Sequence, residues 1–445
     1  MDSGAFVLVI GSGAAGTACA RHLAEAGVRV AVVENDKLGG TCLWRGCMPK
    51  KALYHAAETY LAAADADEFG VACERHSFDW ESVLAWKWHA QETYAGDQAR
   101  MFAEHGIEVV LGTARFEAPL KVRVDGRLIE PTDIVLACGS APTIPPIPGA
   151  ECADTSVEAL HYTAVPSSLV IVGGGYIAFE FAGIYAAFGT RVTVLVRGER
   201  LLDGSDPEIV AIARKRLEGM GVRFRLGTRV GALECADEGA RVDLEGGETL
   251  EAERVLLATG RHSRVVELDP RAGGLAIDDG GRLVLDPLGR TSDPHVWAAG
   301  DARGGEMHTP LANAEGRHVA EAMLGEVSEP LDTRALSTAV FAFPQLAQVG
   351  MTEAQAQAAG MAHVVHRQPF GAIGAAVITD ERDGLVKVVS AEDGRILGAQ
   401  IAAPEAADLI YAFALAVRGG LTLDDVKHAP GIHPAYAQAL EWAAW

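Results

Sequence analysis

A strand, a glycine-rich turn, a helix and a second strand follow one another twice in this chain, and this repeated unit restricts the fold more than any other feature. The first copy runs from Phe6-Val-Leu-Val-Ile10 through Gly11-Ser-Gly13-Ala-Ala-Gly16 and an alanine-rich helix to a strand that ends at Glu34. The glycines of such a unit allow a tight turn, close approach of a pyrophosphate and helix packing, and the acid binds a ribose hydroxyl. The copy therefore predicts a dinucleotide-binding domain with four ligand residues, Gly11, Gly13, Gly16 and Glu34.

The second copy of the unit differs from the first at the end of its second strand. It begins at Ser168-Leu-Val-Ile-Val172 and continues through Gly173-Gly-Gly175 and a helix into a strand over residues 191–196. Arg197 then stands where the first copy has an acid, and Arg200 follows. An acid there would bind the 2′-hydroxyl of NAD, whereas arginines neutralise the 2′-phosphate of NADP. We expect NADPH rather than NADH; the alternative is that both arginines are solvated surface charges.

Breaks in the pattern divide the chain into parts. The proline-rich stretch 142–148 is typical of a linker, and the strand pattern that ends at Gly139 returns at Gly260, so the second copy is expected as an insertion in the first domain. From about Glu326 short strands and one amphipathic helix follow, without a glycine fingerprint. The expected fold class is α/β, with two Rossmann-like domains and a C-terminal α+β domain. The expected boundaries are 1–145 and 265–325 for the first domain, 146–264 for the second and 326–445 for the third.

The charge balance restricts the partners. Lys and Arg number 38 against 60 Asp and Glu, which gives a formal charge of -22. This surplus argues against nucleic acid or an anionic membrane as the main partner. No apolar run is long enough to cross a bilayer and no leader pattern precedes the first strand, so we expect a cytoplasmic protein. No metal site is expected.

Two cysteines lie directly after the first nucleotide-binding unit. Cys42 and Cys47 are five positions apart, about a turn and a half of helix, which is too far round for an ordinary structural disulfide unless the helix start is distorted. A pair in this position is more plausibly one that opens and closes. The other cysteines and the aromatic residues of a helix predicted from Trp80 to His105 are expected to pack in the core; they are Cys19, Cys73, Cys138, Cys152, Cys235, Trp86, Trp88 and Phe102.

Several motifs of this chain, in their order, resemble those of a known family. They are the two glycine fingerprints, Gly39-Gly-Thr-Cys42 through Cys47-Met-Pro-Lys50, Gly300-Asp301 and His433-Pro434. The chain resembles the FAD-dependent pyridine nucleotide-disulfide oxidoreductases over essentially its whole length. The likeness is strongest to the branch that contains glutathione reductase, dihydrolipoamide dehydrogenase and mercuric reductase. The resemblance implies an FAD domain, an inserted NAD(P) domain and a C-terminal dimerisation domain.

The resemblance also implies residue roles. Cys42 would be the exposed thiol that attacks substrate, and Cys47 would exchange electrons with the flavin. His433, contributed by the other subunit of a homodimer with a shared active site, would act as the base. Lys50 would lie beside the flavin with Glu180 as its carboxylate partner, and Tyr176 would cover the nicotinamide pocket. The candidates for binding FAD are Gly11, Gly13, Gly16, Glu34, Thr41 and Asp301. The remaining cofactor-binding candidates are Gly173, Gly175, Tyr176, Arg197, Arg200 and Arg261.

The chain departs from the family pattern at three positions. Ala435 and Gln438 stand where a threonine and a glutamate are usual after the histidine, and Trp44 replaces an asparagine. An amide accepts a hydrogen bond from the imidazole but supplies no charge, so we expect the imidazolium to be less favourable. Glu441 would compensate only if the helix that carries it is shifted or rotated.

Two arginines bear on the identity of the substrate. Arg21 and Arg317 match arginines that face substrate in glutathione reductases, and they favour a low-molecular-weight disulfide that carries carboxylates. Each is alternatively a plain surface charge. Dihydrolipoamide dehydrogenase is the second interpretation, and mercuric reductase is disfavoured because no terminal cysteine pair is present. Two other classes stay open: a flavin-dependent reductase of quinones or metal ions, and an FAD-binding interaction protein without turnover.

Overall fold

The computed structural model of the protein describes residues 4–74, 76–237 and 239–445. The chain forms two compact units. The first unit comprises the chain up to Leu53 together with Glu81–Thr143 and Gly260–Asp332, and the second comprises Tyr54–Trp80, Ile144–Thr259 and Thr333–Trp445. The four-part division expected from the sequence stays a prediction.

The helices and strands of the described residues are numbered in chain order. The helices are α1 (Ala14–Glu25), α2 (Gly40–Trp44), α3 (Cys47–Ala64), α4 (Trp80–Glu104), α5 (Ser156–Ala159), α6 (Tyr176–Ala187), α7 (Pro207–Gly219), α8 (Thr309–Leu324), α9 (Glu353–Ala358), α10 (Gly374–Ile378), α11 (Ala406–Gly419), α12 (Leu423–Lys427) and α13 (Gln438–Trp442). The strands are β1 (Phe6–Ile10), β2 (Arg29–Glu34), β3 (Glu108–Leu111), β4 (Ala114–Ala118), β5 (Lys121–Val124), β6 (Arg127–Ile129), β7 (Asp133–Leu136), β8 (Ser140–Pro142), β9 (Asp154–Thr155), β10 (Ser168–Val172), β11 (Arg191–Leu195), β12 (Arg223–Arg225), β13 (Val230–Ala236), β14 (Gly239–Leu244), β15 (Thr249–Ala252), β16 (Arg254–Leu257), β17 (Arg261–Ser263), β18 (Val296–Ala298), β19 (Ser337–Val340), β20 (Gln345–Gly350), β21 (His363–Pro369), β22 (Leu385–Ala391) and β23 (Ile396–Ala403). Within the described ranges, none of these helices is both long and apolar enough to cross a membrane.

The first unit is built on a five-stranded parallel sheet in the order β18-β7-β1-β2-β3. Alternate residues of β1 serve the two faces: Val7 and Val9 belong to the core under α1 and α8, whereas Leu8 and Ile10 belong to the core on the other side. Burial on both faces explains why β1 reads as an uninterrupted apolar run. The antiparallel strands β4-β5-β6 add a small second sheet, with the predicted hairpin turn at Asp125 and Gly126.

The second unit repeats this topology in its own parallel sheet. Its order is β12-β11-β10-β16-β9, so β10 lies between β11 and β16 as β1 lies between β2 and β7. The strands β13-β14-β15 form an antiparallel sheet beside it. The α/β fold with two Rossmann-like parts is therefore confirmed.

The C-terminal part of the second unit is an antiparallel sheet in the order β19-β20-β23-β22-β21, covered by α11. The helix covers Ala406–Gly419, the residues over which apolar periodicity predicts it. No strand was predicted at β20, which lies between β19 and β23. Gln345 and Gln348 interrupt its apolar pattern, and Gln345 lies buried because its amide oxygen accepts from the Ala407 backbone N–H.

The prediction that Trp86 and Trp88 of α4 are core residues is wrong. Trp86 is 57% exposed and Trp88 is 37% exposed, whereas Lys87 and Gln91 are fully buried. Residues 87, 91, 98 and 102 recur at helical spacing and face inward, so polar side chains occupy positions where apolar ones were expected. The expectation holds for Phe102, which is buried.

The cysteines also depart from the expectation of core packing. Cys152 and Cys235 form a disulfide within the second unit. Cys73 is exposed, and only Cys19 among the five is a fully buried free thiol in the described residues. Residue type and spacing did not reveal the disulfide because its cysteines are 83 positions apart and meet only through the fold of β13.

Candidate active site

The first glycine turn has the geometry of a dinucleotide cradle. A Cβ at Gly11, where φ is +109°, would lie 2.3 Å from the Ala137 carbonyl oxygen, and one at Gly16 would lie 1.9 Å from the Gly11 carbonyl oxygen. Gly13 differs, because a Cβ there meets nothing within 4 Å. Gly11 and Gly16 are thus required by packing, and Gly13 opens the N-terminus of α1 to an anion. The residues present fit the pyrophosphate of FAD.

Glu34 lies at the end of β2, buried beside this turn. Its carboxylate accepts hydrogen bonds from the Ser12 backbone N–H at 3.1 Å, from the Ser12 hydroxyl at 2.6 Å and from the Asp36 N–H at 3.0 Å. The Gly39 N–H in turn donates to the Ser12 hydroxyl oxygen. The buried side chain of Gln98 on α4 donates to the Ser12 carbonyl and to the Thr17 hydroxyl. These bonds fix the acid, the glycine turn and the segment before Cys42 to one another.

The redox candidates lie at adjoining helix starts in the same unit. Cys42 is in the short helix α2 and is half-buried, and Cys47 is the first residue of α3 and is exposed. Cys42 is therefore less exposed than expected. The two thiols are in hydrogen-bonding contact, and the Cys47 sulfur lies 3.2 Å from the Thr309 hydroxyl. Which thiol attacks substrate stays a prediction.

The electrostatics of the pair favour a shared proton. The contact with Cys47, followed by burial, raises the pKa of Cys42, while the Thr309 hydroxyl and the charge of Lys50 act in the opposite direction. Interacting thiols lose their protons in steps that belong to the pair. The arrangement is suited to a dithiol that reacts as one unit with a two-electron partner.

Trp44 and Arg45, between the cysteines, are held by the segment before them. The Trp44 indole N–H donates to the Leu38 carbonyl at 2.7 Å, and the Arg45 guanidinium pairs with Asp36 at 2.6 Å. The Lys37 ammonium lies 4.6 Å from the centre of the Trp44 ring. From α4 the Gln91 amide donates to the Leu43 and Trp44 carbonyls. The cysteine segment is therefore fixed on two sides.

The segment at Gly300 and Asp301 joins β18 to α8. The Ser140 hydroxyl donates to Asp301 at 2.5 Å, and Arg261 donates to the hydroxyl and the carbonyl oxygen of Ser140. The Glu315 carboxylate on α8 accepts the Gly300 N–H at 2.8 Å. Burial raises the pKa of Glu315, although the charge of Arg303 at 3.2 Å opposes the shift. Arg261 thus orients Asp301 through Ser140.

Two further candidates of this unit, Lys50 and Thr41, lie in the helices that carry the cysteines. Lys50 is buried in α3, three residues after Cys47. Thr41 is half-buried in α2, and its carbonyl oxygen accepts the Arg45 N–H. Both stay predictions as cofactor contacts.

The glycine turn of the second unit repeats the geometry of the first. A Cβ at Gly173, where φ is +140°, would lie 2.2 Å from the Ala258 carbonyl oxygen, and one at Gly175 meets nothing within 4 Å. Tyr176 begins α6, half-buried, one residue after this opening. Glu180, also on α6, is buried and accepts the Phe341 backbone N–H at 3.0 Å. This turn fits a nicotinamide dinucleotide.

The residues after β11 carry the charges that bear on cofactor preference. Arg197 and Arg200 are both exposed. Arg200 forms an ion pair with Asp203 at 2.7 Å. Arg200 therefore offers less positive charge to a phosphate than Arg197.

The terminal histidine lies next to the residue that departs from the family pattern. The amide oxygen of the buried Gln438 lies 2.8 Å from Nδ1 of His433. An amide oxygen only accepts, so this contact fits the tautomer that has its proton on Nδ1. Glu441 instead accepts the Gly431 backbone N–H at 3.1 Å. The contact is one that an amide can make with the ring, and Glu441 holds the backbone before the histidine.

The two candidate substrate arginines lie on the packed helices α1 and α8. Arg21 is exposed and pairs with Glu25 at 3.2 Å. Arg317 is exposed on α8. Since Arg21 is partly neutralised, Arg317 is the stronger candidate of the two.

Several supporting residues escaped prediction from the sequence. They contribute polar side chains at buried positions, where periodicity favours apolar ones, or at half-buried positions. The buried ones are Ser12, Gln91, Gln98 and Ser140, and the half-buried ones are Thr309 and Glu315. The helix periodicity of α4 contained a signal, because Gln91 and Gln98 recur on the face that also carries Phe102.

Comparison with known proteins agrees with this geometry. A family model described as pyridine nucleotide-disulphide oxidoreductase matches residues 6–316, and the model of the dimerisation domain of that family matches residues 336–444. The second match supports a homodimer.

Individual proteins are similar over nearly the whole chain. A dihydrolipoyl dehydrogenase of Haloferax volcanii is 36% identical, with 99% of this chain and 96% of that protein covered. A glutathione reductase of Burkholderia cepacia is 34% identical, with 97% and 96% covered. Among solved structures, the Cu(II) complex of the HOCl-induced flavoprotein disulfide reductase RclA from Escherichia coli has a TM-score of 0.89 and 29% identity, with 98% of each chain covered.

These matches confirm the family expected from the sequence, and FAD as its cofactor. They also confirm an oxidoreductase that acts on sulfur groups with a pyridine nucleotide. The chain belongs to the pyridine nucleotide-disulphide oxidoreductase family.

Proposed function

We propose that the protein reduces a low-molecular-weight disulfide of the glutathione type, with electrons from NADPH that pass through FAD and the Cys42-Cys47 pair. The observation that carries this proposal is the contact between the two thiols in the unit that also contains the FAD cradle. Bound FAD would accept hydride from NADPH and supply two electrons to a disulfide. The other steps belong to the residues of the chain.

The cysteine pair takes up these electrons as a dithiol and passes them on by exchange. One thiolate attacks the substrate disulfide, and the second then displaces the bound half to reform the Cys42-Cys47 bond. Thr309 and Lys50 favour the thiolate, in opposition to the raised pKa of Cys42. The hydrogen bond from Trp44 to Leu38 and the ion pair between Arg45 and Asp36 hold the segment between the cysteines, which keeps the two sulfurs near each other during this cycle.

His433 is proposed as the base, contributed across the dimer. Its Nδ1 proton is held by Gln438, which leaves Nε2 to accept a thiol proton and return it to the leaving thiolate. Gln438 has no charge to stabilise the imidazolium, so we infer that the pair operates with a lower proton affinity than a histidine–glutamate pair.

NADPH preference is proposed from Arg197. Its exposed position directly after β11 is the place where an arginine meets the 2′-phosphate. A charge-assisted hydrogen bond of about 1.5–3 kcal/mol would make NADPH roughly 10- to 100-fold better than NADH in kcat/KM. We expect Arg197→Ala to remove most of this ratio and Arg200→Ala, whose guanidinium is paired with Asp203, to change it much less.

Dihydrolipoamide oxidation is the second candidate. The similar protein of Haloferax volcanii is named dihydrolipoyl dehydrogenase, and the pairing of Arg21 with Glu25 reduces the positive charge available to a carboxylate-bearing disulfide. This candidate requires NAD rather than NADP to be the better acceptor, in opposition to Arg197. Cofactor preference therefore separates the two.

Reduction of a metal ion is a third candidate. The similar structure of RclA is a complex with Cu(II), and thiolate pairs bind and reduce soft metal ions. Cys42→Ser would leave intact a reduction of the metal ion directly by the flavin, but it would abolish a reduction that passes through the cysteine pair.

The deciding experiment is an anaerobic titration of the purified flavoprotein with NADPH and NADH, followed by oxidised glutathione, lipoamide, a quinone and Cu(II). We expect bleaching by NADPH and fastest reoxidation by oxidised glutathione, and loss of the latter in Cys42→Ser. Absence of bleaching would identify a protein without turnover, and undiminished quinone reduction in Cys42→Ser would refute a reaction through the cysteine pair. His433→Ala should slow disulfide reduction and leave bleaching intact.

A further inference from the structure

A second pair of cysteines lies in the other unit, outside the site described above. The disulfide between Cys152 and Cys235 joins the end of the 3-10 turn Ala150–Cys152 to strand β13. Cys235 is exposed and Cys152 is half-buried. The reaction proposed for Cys42 and Cys47 does not use this bond.

The segment that carries Cys152 is held on β13 by contacts other than the disulfide. The Leu233 N–H donates to the Pro148 carbonyl at 2.8 Å, and a Cβ at Gly149 would lie 1.8 Å from the Leu233 carbonyl oxygen. Ile147 and Ala150 pack against the apolar core that contains Leu233. The segment therefore has both hydrogen-bonding and apolar attachment, so the sulfur–sulfur bond can open while it stays in place.

We propose that Cys152-Cys235 is a second thiol–disulfide exchange site, which reacts with small thiols on the protein surface. A thiolate attacks the exposed Cys235 sulfur and forms a mixed disulfide, while the bond to Cys152 breaks and Cys152 leaves as a thiolate that takes up a proton. A second thiol then attacks the mixed disulfide and releases Cys235. In sum, two small thiols are oxidised to one disulfide and the protein bridge is reduced to two thiols.

The charged residues around the Cys152-Cys235 disulfide favour reaction with some small thiols over others. Glu151 precedes Cys152, and Glu234 and Asp237 flank Cys235; all three are exposed. Arg241 is engaged by Glu234 at 3.5 Å and by Asp243 at 3.0 Å. The site is therefore anionic, and an approaching thiolate that carries further negative charge is repelled. We expect cysteamine to open the bridge roughly three- to tenfold faster than glutathione at low salt, with the difference reduced by added salt.

The test uses the full-length flavoprotein with Cys42→Ser and Cys47→Ser, so that the redox pair, whose cysteines are free thiols in the described structure, cannot exchange with the added thiols and disulfides. The protein is equilibrated with graded ratios of cysteamine to cystamine, mercaptoethanol to its disulfide and glutathione to its disulfide. Free thiols are trapped by alkylation and assigned to Cys152 and Cys235 by peptide mass, while circular dichroism and flavin absorbance report the fold. We expect reversible opening and closing without change in either spectrum.

Two results would overturn the proposal. One is a bridge that stays closed at the most reducing ratio until denaturant is added, which is the behaviour of a purely structural disulfide. The other is loss of the native spectra together with opening.

The variants Cys152→Ser and Cys235→Ser test which sulfur is attacked. The remaining Cys235 should form a mixed disulfide with cystamine about tenfold faster than the remaining Cys152, since the exchange rate depends on the accessibility of the sulfur. Equal rates would contradict attack at Cys235.

Discussion

Lys387 on β22 is a fully buried cation, and its replacement by methionine tests how far charge pairing holds the second unit together. Its ammonium lies 2.8 Å from Asp206, 2.5 Å from Glu208 and 2.7 Å from Glu353. Asp206 is also buried, at the N-cap of α7, where it accepts the Glu208 backbone N–H. Lys387→Met keeps a long apolar stem but leaves the Asp206 carboxylate without its counter-ion.

The expected cost follows from the exposure of each partner. Glu208 and Glu353 are 38% and 37% exposed and both keep Arg367, so their loss of Lys387 matters little. Breaking the buried contact with Asp206 costs about 3–5 kcal/mol, of which the helix N-terminus offsets roughly 0.3–1 kcal/mol. We expect a net loss of about 3 kcal/mol and a fall in the thermal midpoint of roughly 6–12 °C.

The assay is thermal unfolding by fluorescence at a fixed scan rate, because a chain of this size is not a two-state system. Lys215→Met is the matched control: its ammonium pairs with Asp383 at 3.1 Å on the surface, so the midpoint should fall by less than about 2–4 °C. Adding Asp206→Asn to Lys387→Met should restore part of the loss, since no uncompensated charge then remains buried. A Lys387→Met midpoint no lower than that of Lys215→Met would refute the reasoning.

Acid should reduce the difference between wild type and Lys387→Met. Hydrogen bonds from Arg367, with further contributions from Lys387, lower the pKa of Glu208 to about 2. Burial alone would lower the pKa of Lys387, but the carboxylates of Asp206, Glu208 and Glu353 raise it. The stability that Glu208 contributes is present above its ordinary pKa of 4.5 and is lost as the pH falls towards 2. Lys387 supplies part of this stability in the wild type only, so the two midpoints should approach each other as the pH falls from 4.5 towards 2; a constant difference over this range would contradict this account.

Three further predictions concern the candidate active site. Gly11→Ala should prevent folding of the FAD-binding part, since its Cβ would lie 2.3 Å from the Ala137 carbonyl oxygen. Gly13→Ala, whose Cβ meets nothing within 4 Å, should fold with normal circular dichroism but lose flavin absorbance on gel filtration. Equal behaviour of the two variants would contradict the geometry of the glycine turn. Gln438→Glu places a carboxylate 2.8 Å from His433 and should move the pH profile of disulfide reduction to higher pH, while identical profiles would remove any role for this position. Trp44→Asn removes the hydrogen bond to Leu38 and the contact with Lys37, whereas Trp44→Phe loses the bond but keeps an aromatic ring. Cys42 and Cys47 should therefore alkylate severalfold faster in Trp44→Asn than in Trp44→Phe, and equal rates would show that the ring does not restrain the loop.

The features that were predictable from the sequence are those set by local chemistry. The strand–glycine–helix units and α11 have the expected positions because glycine conformation and apolar periodicity act over a few residues. The cysteine pair was recognisable from its spacing and its motif. An amide in place of the family glutamate can accept a hydrogen bond from the imidazole, and the Gln438 amide oxygen lies 2.8 Å from Nδ1 of His433.

The features that were not predictable depend on residues far apart in sequence. The disulfide of Cys152 requires Cys235, 83 positions away, to arrive on the adjoining strand. The inward position of Lys87 and Gln91 on α4 reflects what they meet, and Gln91 binds carbonyls of the cysteine segment, more than 40 positions earlier. A pattern of polar and apolar residues predicts that such a face is exposed to solvent, because the pattern does not show that a polar side chain will find a hydrogen-bond partner inside the protein.

Contacts within one short segment explain how the chain accommodates Trp44. Glu34 accepts from Asp36, Asp36 pairs with Arg45, and the indole of Trp44 donates to Leu38 in the same short segment. The acid of the FAD cradle and the loop between the cysteines therefore share one support. A large ring in place of the family asparagine adds a bond to that support and does not displace it. The glycine turn that fits FAD and the loop between the cysteines are therefore held by the same short segment, residues 34–38.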